Sequence, residues 1–239
     1  MWQPLTPEEA LVVLPTGGKR TISQTVLSGR LAMEPVPPAD TKSWTSQFRR
    51  DGAAPGSIAS LNGTRSQVFA QAVKATSMWL QAQGFGSFSC RASLLACAGA
   101  QYHHDATYFP NDVFCVLWLS DKTPWDVYFP FLERRIPLEL GTVLAFDSAQ
   151  PHGVVARDCV EFHPDSFRGA PGFFCSQEIG LTAAVRRRMA IRKLSERGRR
   201  GCIGIGDKPT RTVWMDEIDG VSGAWKAQPA QLPSTAYSR

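Results

Sequence analysis

From Ser87 onward the hydrophobic period of this chain drops to two. Segments rich in β-branched and aromatic residues follow one another over 87–95, 97–104, 113–119, 125–131, 142–147, 152–156, 159–162 and 172–180. Successive side chains on a strand point to opposite faces, so this period marks strands rather than helices. Turn-forming groups such as Pro110-Asn111-Asp112, Asp121-Lys122-Thr123-Pro124 and Glu139-Leu140-Gly141 separate several of them. Many short strands at this spacing predict a jelly roll or sandwich, a mainly β domain with helices at its flanks.

The flanks differ in character. Residues 1–60 are rich in Pro, Gly and Ser, with Pro35-Val36-Pro37-Pro38 as one punctuation, and read as an irregular N-terminal extension. The pattern Val68/Phe69, Ala72/Val73, Thr76, Trp79/Leu80 repeats at helical spacing and ends at Gly84, which predicts a supporting helix over 66–84 with a left-handed C-terminal cap. A second helix is expected from Thr182 to about Arg197, followed by a loosely organised tail, so that 182–239 forms a basic helix and C-terminal segment. A chain of 239 residues with 43% hydrophobic and 20% charged residues suits one folded domain spanning 1–239, its β core at 87–181. No apolar run approaches the roughly 18 residues of a membrane span. Met1 to Glu9 lacks the basic head and apolar middle of a secretory signal, so a cytoplasmic location is the expectation. The six cysteines show no CxxC spacing and read mostly as buried free thiols.

Two short runs carry the chemistry, Gln101-Tyr102-His103-His104-Asp105 and Gln150-Pro151-His152-Gly153-Val154. Positions two apart on a strand share a face, so His103 rather than His104 converges with Asp105. With His152 they make two imidazoles and one carboxylate, the donor set that suits Fe(II) and leaves coordination positions open. His163-Pro164-Asp165 repeats the His-x-Asp string, but its proline and loop surroundings argue against a metal strand. Asp147 and Gln150 are candidates for orienting His152, and Tyr102, Tyr108, Trp118 and Tyr128 for lining a pocket.

In this order and interval, Gly99-Ala100-Gln101-Tyr102-His103-His104-Asp105, then Phe114 to Asp121, then Gly141-Thr142-Val143-Leu144-Ala145-Phe146 with Pro151-His152-Gly153-Val154, resemble the successive motifs of the Fe(II)/2-oxoglutarate-dependent oxygenases. The resemblance covers Ser87 to Leu181 and implies their double-stranded β-helix, a jelly-roll or cupin-like core. It implies iron held by His103, Asp105 and His152, with 2-oxoglutarate and dioxygen as cosubstrates. The reaction it implies is oxidation, most simply hydroxylation, of a small organic substrate. The family's halogenases replace the carboxylate ligand by a small residue, so Asp105 points to oxidation rather than halogenation. A basic residue after the distal histidine usually holds the far carboxylate of the cosubstrate. Arg168, just before the strand Gly172 to Gln177, is preferred for this role. Arg157 is the rival, although its odd offset from His152 puts it on the opposite face of an unbroken strand.

Two alternatives stay open from the sequence. The cluster from Arg186 to Arg200, within a net charge of +5, would suit an oxygenase that modifies nucleic acid or protein. A β-sandwich binding module without catalysis, its His and Asp residues coincidental, is the other.

Overall fold

The computed structural model describes residues 11–13, 19–62, 66–121, 123–194 and 218–223. Ahead of the core come β1 (Leu11–Val13), β2 (Lys19–Thr21), β3 (Leu27–Arg30), helix α1 (Pro38–Arg50), β4 (Ile58–Ser60) and helix α2 (Gln67–Ala82). The core follows as β5 (Cys90–Cys97), β6 (Ala100–His103), β7 (Asp112–Trp118), β8 (Trp125–Phe129), β9 (Arg134–Pro137), β10 (Thr142–Asp147), β11 (His152–Ala156) and β12 (Gly172–Gly180). Helix α3 (Ala183–Arg188) and β13 (Lys193–Leu194) come after it.

A six-stranded sheet in the order β3-β10-β7-β12-β5-β4 packs against a four-stranded sheet, β6-β11-β8-β9. Along the chain β5, β7, β10 and β12 fall in the first sheet, and β6, β8, β9 and β11 in the second. All pairings are antiparallel, and this repeated crossing between two layers is the jelly-roll, double-stranded β-helix arrangement. β1, β2 and β13 form a small third sheet.

Strand alternation sorts the residues of the large sheet. Phe114, Val116, Trp118, Phe174, Ser176 and Glu178 face a cavity between the sheets. Cys115, Leu117, Cys175 and Gln177 alternate with them and are buried. Helix α2 covers that outer side with the expected stripe, Val68, Phe69, Ala72, Thr76 and Leu80. The Gln177 side chain donates to Val73 O (2.9 Å), tying helix to sheet. Gly84 has the left-handed φ of 86° that ends the helix as anticipated. Burial pushes the Cys97 and Cys175 thiols up to about 12 and Cys115 well above its ordinary value. Cys90 is exposed, and Cys202 lies outside the described residues.

Several expectations need correction. Residues 1–60 are not merely irregular. Helix α1 buries Trp44 and Phe48, with the Trp44 ring 5.3 Å from Phe173, while β3 and β4 form the two edges of the large sheet. Residues 159–162 are not a strand, because Asp158 takes φ of 65° and Cys159 N–H donates to Ala156 O (3.1 Å), closing a turn. Instead Arg134–Pro137 is one, its arginines satisfied by Val26 O, Ser28 Oγ and Asp126. The basic helix ends at Arg188, where Ala190 turns left-handed (φ 54°) and Lys193–Leu194 pairs with β2. Arg197, Arg199 and Arg200 lie outside the described residues.

Gly141 has φ of 82°, and a Cβ there would stand 2.1 Å from Leu31 O. Only glycine fits that turn.

The most demanding internal contact is a fully buried ion pair. Arg20 Nη1 and Nη2 donate to the two oxygens of Asp147 at 2.7 and 2.8 Å, both side chains being 0% exposed. Arg20 Nε donates to Pro110 O (2.7 Å), and Asp147 also accepts from the Ser23 and Ala149 N–H groups. Removing one charge strands the other without water. Arg20→Met is therefore expected to cost about 3–5 kcal/mol and to lower Tm by roughly 10 °C. Arg20→Met combined with Asp147→Leu should lose less than the sum of the single changes, as thermal denaturation would record.

Candidate metal centre

His103 closes β6 and His152 opens β11, and the two are directly opposed in the antiparallel pairing. Three steps along β6, from His103 to Ala100, match two along β11, from His152 to Val154, so β6 carries a bulge at Gln101-Tyr102. The imidazole centroids lie 4.4 Å apart. Gly153 lets the strands close up, since a Cβ there would meet the Tyr102 ring at 2.9 Å. Asp105 is set by its own N–H, which donates to Ser148 O (2.7 Å) and so joins the loop after β6 to the turn before β11. Its carboxylate stands 3.8 Å from His103 Nε2 and 3.6 Å from His152 Nε2. One donor atom from each of the three residues lies within 4.8 Å of the others.

Each imidazole is oriented by the backbone. His103 Nδ1 bonds to Gln101 O (2.6 Å) and His152 Nδ1 to Gln150 O (2.9 Å). A carbonyl oxygen can only accept, so each Nδ1 carries a hydrogen and each Nε2 is the ring atom turned towards Asp105. Gln150 thus orients His152 through its carbonyl, and Asp147 acts one step back through the turn it anchors. Burial, with the neighbouring His103 ring adding to it, holds the His152 pKa well below its ordinary value. Asp105 is shifted upward, burial outweighing the attraction of His103. Two imidazoles and one carboxylate are a donor set that suits a divalent metal ion such as Fe(II), whose charge would offset the burial of Asp105.

The three side chains line the mouth of a cavity of about 380 Å³. Its walls are mainly apolar, with Phe109, Phe114, Phe146, Val116 and Leu144 near the site and Trp118 and Phe174 deeper. The Phe146 ring lies 4.6 Å from that of His152. The remaining polar lining consists of Ser60, Ser93, Ser176 and Glu178.

The two arginines expected to hold a cosubstrate are elsewhere. Arg168 is 75% exposed, follows the helical turn Pro164–Phe167 between β11 and β12, and pairs with Asp165 (2.7 Å). Arg157, on the turn after β11, donates to Asp126 and to Thr123 O. No lysine or arginine among the described residues lines the cavity. His104 does not line it, His163 is exposed beside Glu161 at 3.7 Å, and of the aromatic candidates only Trp118 reaches it. Tyr108 is exposed, and the Tyr102 hydroxyl donates to Val160 O. Sequence reasoning missed the serines, since hydroxyls on strands carry no spacing signal.

No known family model matches the sequence, and no curated protein matches it. Solved structures similar to this chain include the viral collagen prolyl hydroxylase of Paramecium Bursaria Chlorella virus-1 in its 2-oxoglutarate complex. It is 12% identical, with 66% of this chain and 96% of that one covered and a TM-score of 0.42. HygX from Streptomyces hygroscopicus, with nickel, 2-oxoglutarate and hygromycin B bound, is 13% identical over 66% of this chain and 83% of its own (TM-score 0.40). A Pseudomonas putida prolyl-4-hydroxylase is 16% identical over 68% and 94% (TM-score 0.37).

Two measurements test the centre. Equilibrium dialysis against Mn(II) should show one bound ion, lost in His103→Ala, Asp105→Ala and His152→Ala and retained in His104→Ala. The second is the pH dependence of the metal-free protein. An ordinary histidine titrates near pH ~6.5, whereas folded His152 resists protonation. The stability contributed by the neutral ring is complete above about pH 6.5 and is lost as pH falls towards the lowered folded value. Thermal stability should therefore fall less steeply between about pH 6.5 and 5 in His152→Gln than in the parent protein.

Proposed function

We propose that this chain is an Fe(II)/2-oxoglutarate-dependent oxygenase acting on a small organic substrate, most simply as a hydroxylase. One observation carries the reading: two backbone-tethered imidazoles and one carboxylate converge on a mainly apolar cavity. Three protein donors leave room on a six-coordinate ion for a bidentate 2-oxo acid and dioxygen. Iron bound there would supply the oxidising chemistry, coupling decarboxylation of 2-oxoglutarate to insertion of oxygen into the substrate.

The chain's own contribution is placement and exclusion. Gln101 O and Gln150 O fix the ring orientations, and burial keeps His152 free of a competing proton. The phenylalanine walls keep water from the reacting face. A cavity of about 380 Å³ suits a small acid together with part of a small substrate rather than a folded partner.

Anaerobic addition of Fe(II) and then 2-oxoglutarate should produce a weak visible charge-transfer band. Admitting oxygen should convert 2-oxoglutarate to succinate and carbon dioxide. His103→Ala and Asp105→Ala should abolish both signals. A protein that binds no metal, or whose activity survives both substitutions, would refute the reading.

A further inference from the structure

One carboxylate of the cavity wall has no part in the metal centre. Glu178 on β12 lines the cavity, its side chain 21% exposed. It faces Arg91, directly opposed on β5, at 3.8 Å, but the Arg91 side chain is 80% exposed. So long and solvated a pair contributes little. Burial outweighs the pull of Arg91 and shifts the Glu178 carboxyl upward, the neighbouring Asp112 adding to it. A carboxylate set in an apolar wall and so weakly paired is stabilised by a cation that enters the cavity beside it.

The wall around Glu178 suits an organic cation. Phe114 on β7 is directly opposed to Glu178, and opposed side chains stand about 5 Å apart at Cβ. The Phe109 ring lies 5.0 Å from that of Phe114, edge to face, and both line the cavity. A cation at Glu178 therefore meets aromatic rings as well as a carboxylate, and an ammonium carried on carbon gains from both. A bare metal cation would need several oxygen donors, which these rings do not offer.

The same row of side chains leads to the metal centre. Phe114 is opposed on its other side to Phe146 on β10, whose ring lies 4.6 Å from that of His152. Glu178 and Phe146 thus stand two strands apart at one level, roughly 10 Å between backbones. A small amine several bonds long, with its nitrogen at Glu178, brings a carbon over Phe146 to the three ligands.

We infer that the substrate carries an ammonium group, held by the Glu178 carboxylate and the rings of Phe114 and Phe109, an assignment that rests on the oxygenase reading above. Glu178 is then the residue that selects cationic over neutral substrates and sets which carbon faces the metal.

The test uses Mn(II)-loaded protein at neutral pH and two probes of one length, n-butylammonium and n-butanol, whose proton resonances the bound ion broadens as they enter the cavity. The ammonium should bind more tightly than the alcohol, and its methyl end, far from the nitrogen, should broaden most. In Glu178→Gln, which keeps the shape of the side chain, the Kd for n-butylammonium should rise at least about tenfold while that for n-butanol stays within about twofold. Arg91→Gln removes the competing cation and should tighten n-butylammonium binding about twofold. An ammonium that binds no better than the alcohol, equal losses for both probes in Glu178→Gln, or weaker ammonium binding in Arg91→Gln would overturn the inference while leaving Mn(II) binding and the oxygenase reading intact. A parent protein that binds no Mn(II) would overturn both.

Discussion

The end of the barrel that carries His103, Asp105 and His152 is braced by the buried pairing of Arg20 with Asp147. Two chain segments meet there, the loop after β6 with Asp105 and the turn after β10 that leads to His152. Asp105 N–H, bonded to Ser148 O, and Ser148 Oγ, bonded to Phe109 O, link the two directly. Arg20 grips both at once, the second through Asp147 and the first through Pro110 O. A guanidinium is suited to this because its donors form a rigid fork that two segments can share. Desolvating such a pair is costly in itself. Its return is positional: His103 and His152 are held by the strand pairing, whereas Asp105 lies in a loop, which without such a clamp is among the least constrained parts of a β fold.

Inside the barrel, polarity is layered by depth. One end holds the acceptors, Asp105 and Glu178, with His152 between the Phe129 and Phe146 rings. The next pleat holds the opposed serines, and the layer beneath is the Trp118–Phe174 stack, 5.8 Å apart and 10° from parallel. Gly172 marks where this packing is tightest, since a Cβ there would stand 2.1 Å from the Trp118 ring. Strand alternation produces the layering. Residues 174, 176 and 178 share the inner face of β12, so each pleat contributes one side chain from each strand at a given depth.

How much of this was legible in the sequence follows from the range of the interactions involved. The strands around the motifs and the His103/Asp105 choice are properties of local period, and period survives folding. Helix α2 was legible for the same reason. Helix α1 was not, because Pro35-Val36-Pro37-Pro38 hides its start and only Trp44 and Phe48 are buried along it. Arg134–Pro137 was missed because charged residues on a strand are usually solvated, whereas here they find Val26 O, Ser28 and Asp126. The Arg20–Asp147 pair joins residues far apart in the chain, and no local pattern announces it.

The failure of Arg168 to reach the cavity has a similar origin. The long join between β11 and β12 closes the far end of the barrel with aromatic rings. Phe162 and Phe167 stack at 5.3 Å, and Phe167 packs 5.1 Å from Trp125. Gly99 lies under Phe167 and Gly56 under Phe162, so close that a Cβ at either would fall within 3 Å of a ring. Once Phe167 points inward, the helical turn that carries it directs Arg168 to solvent and to Asp165. The residues that make the join long therefore pack across the end of the barrel opposite His103, Asp105 and His152, and the inner walls of β5, β7 and β12 line the cavity between.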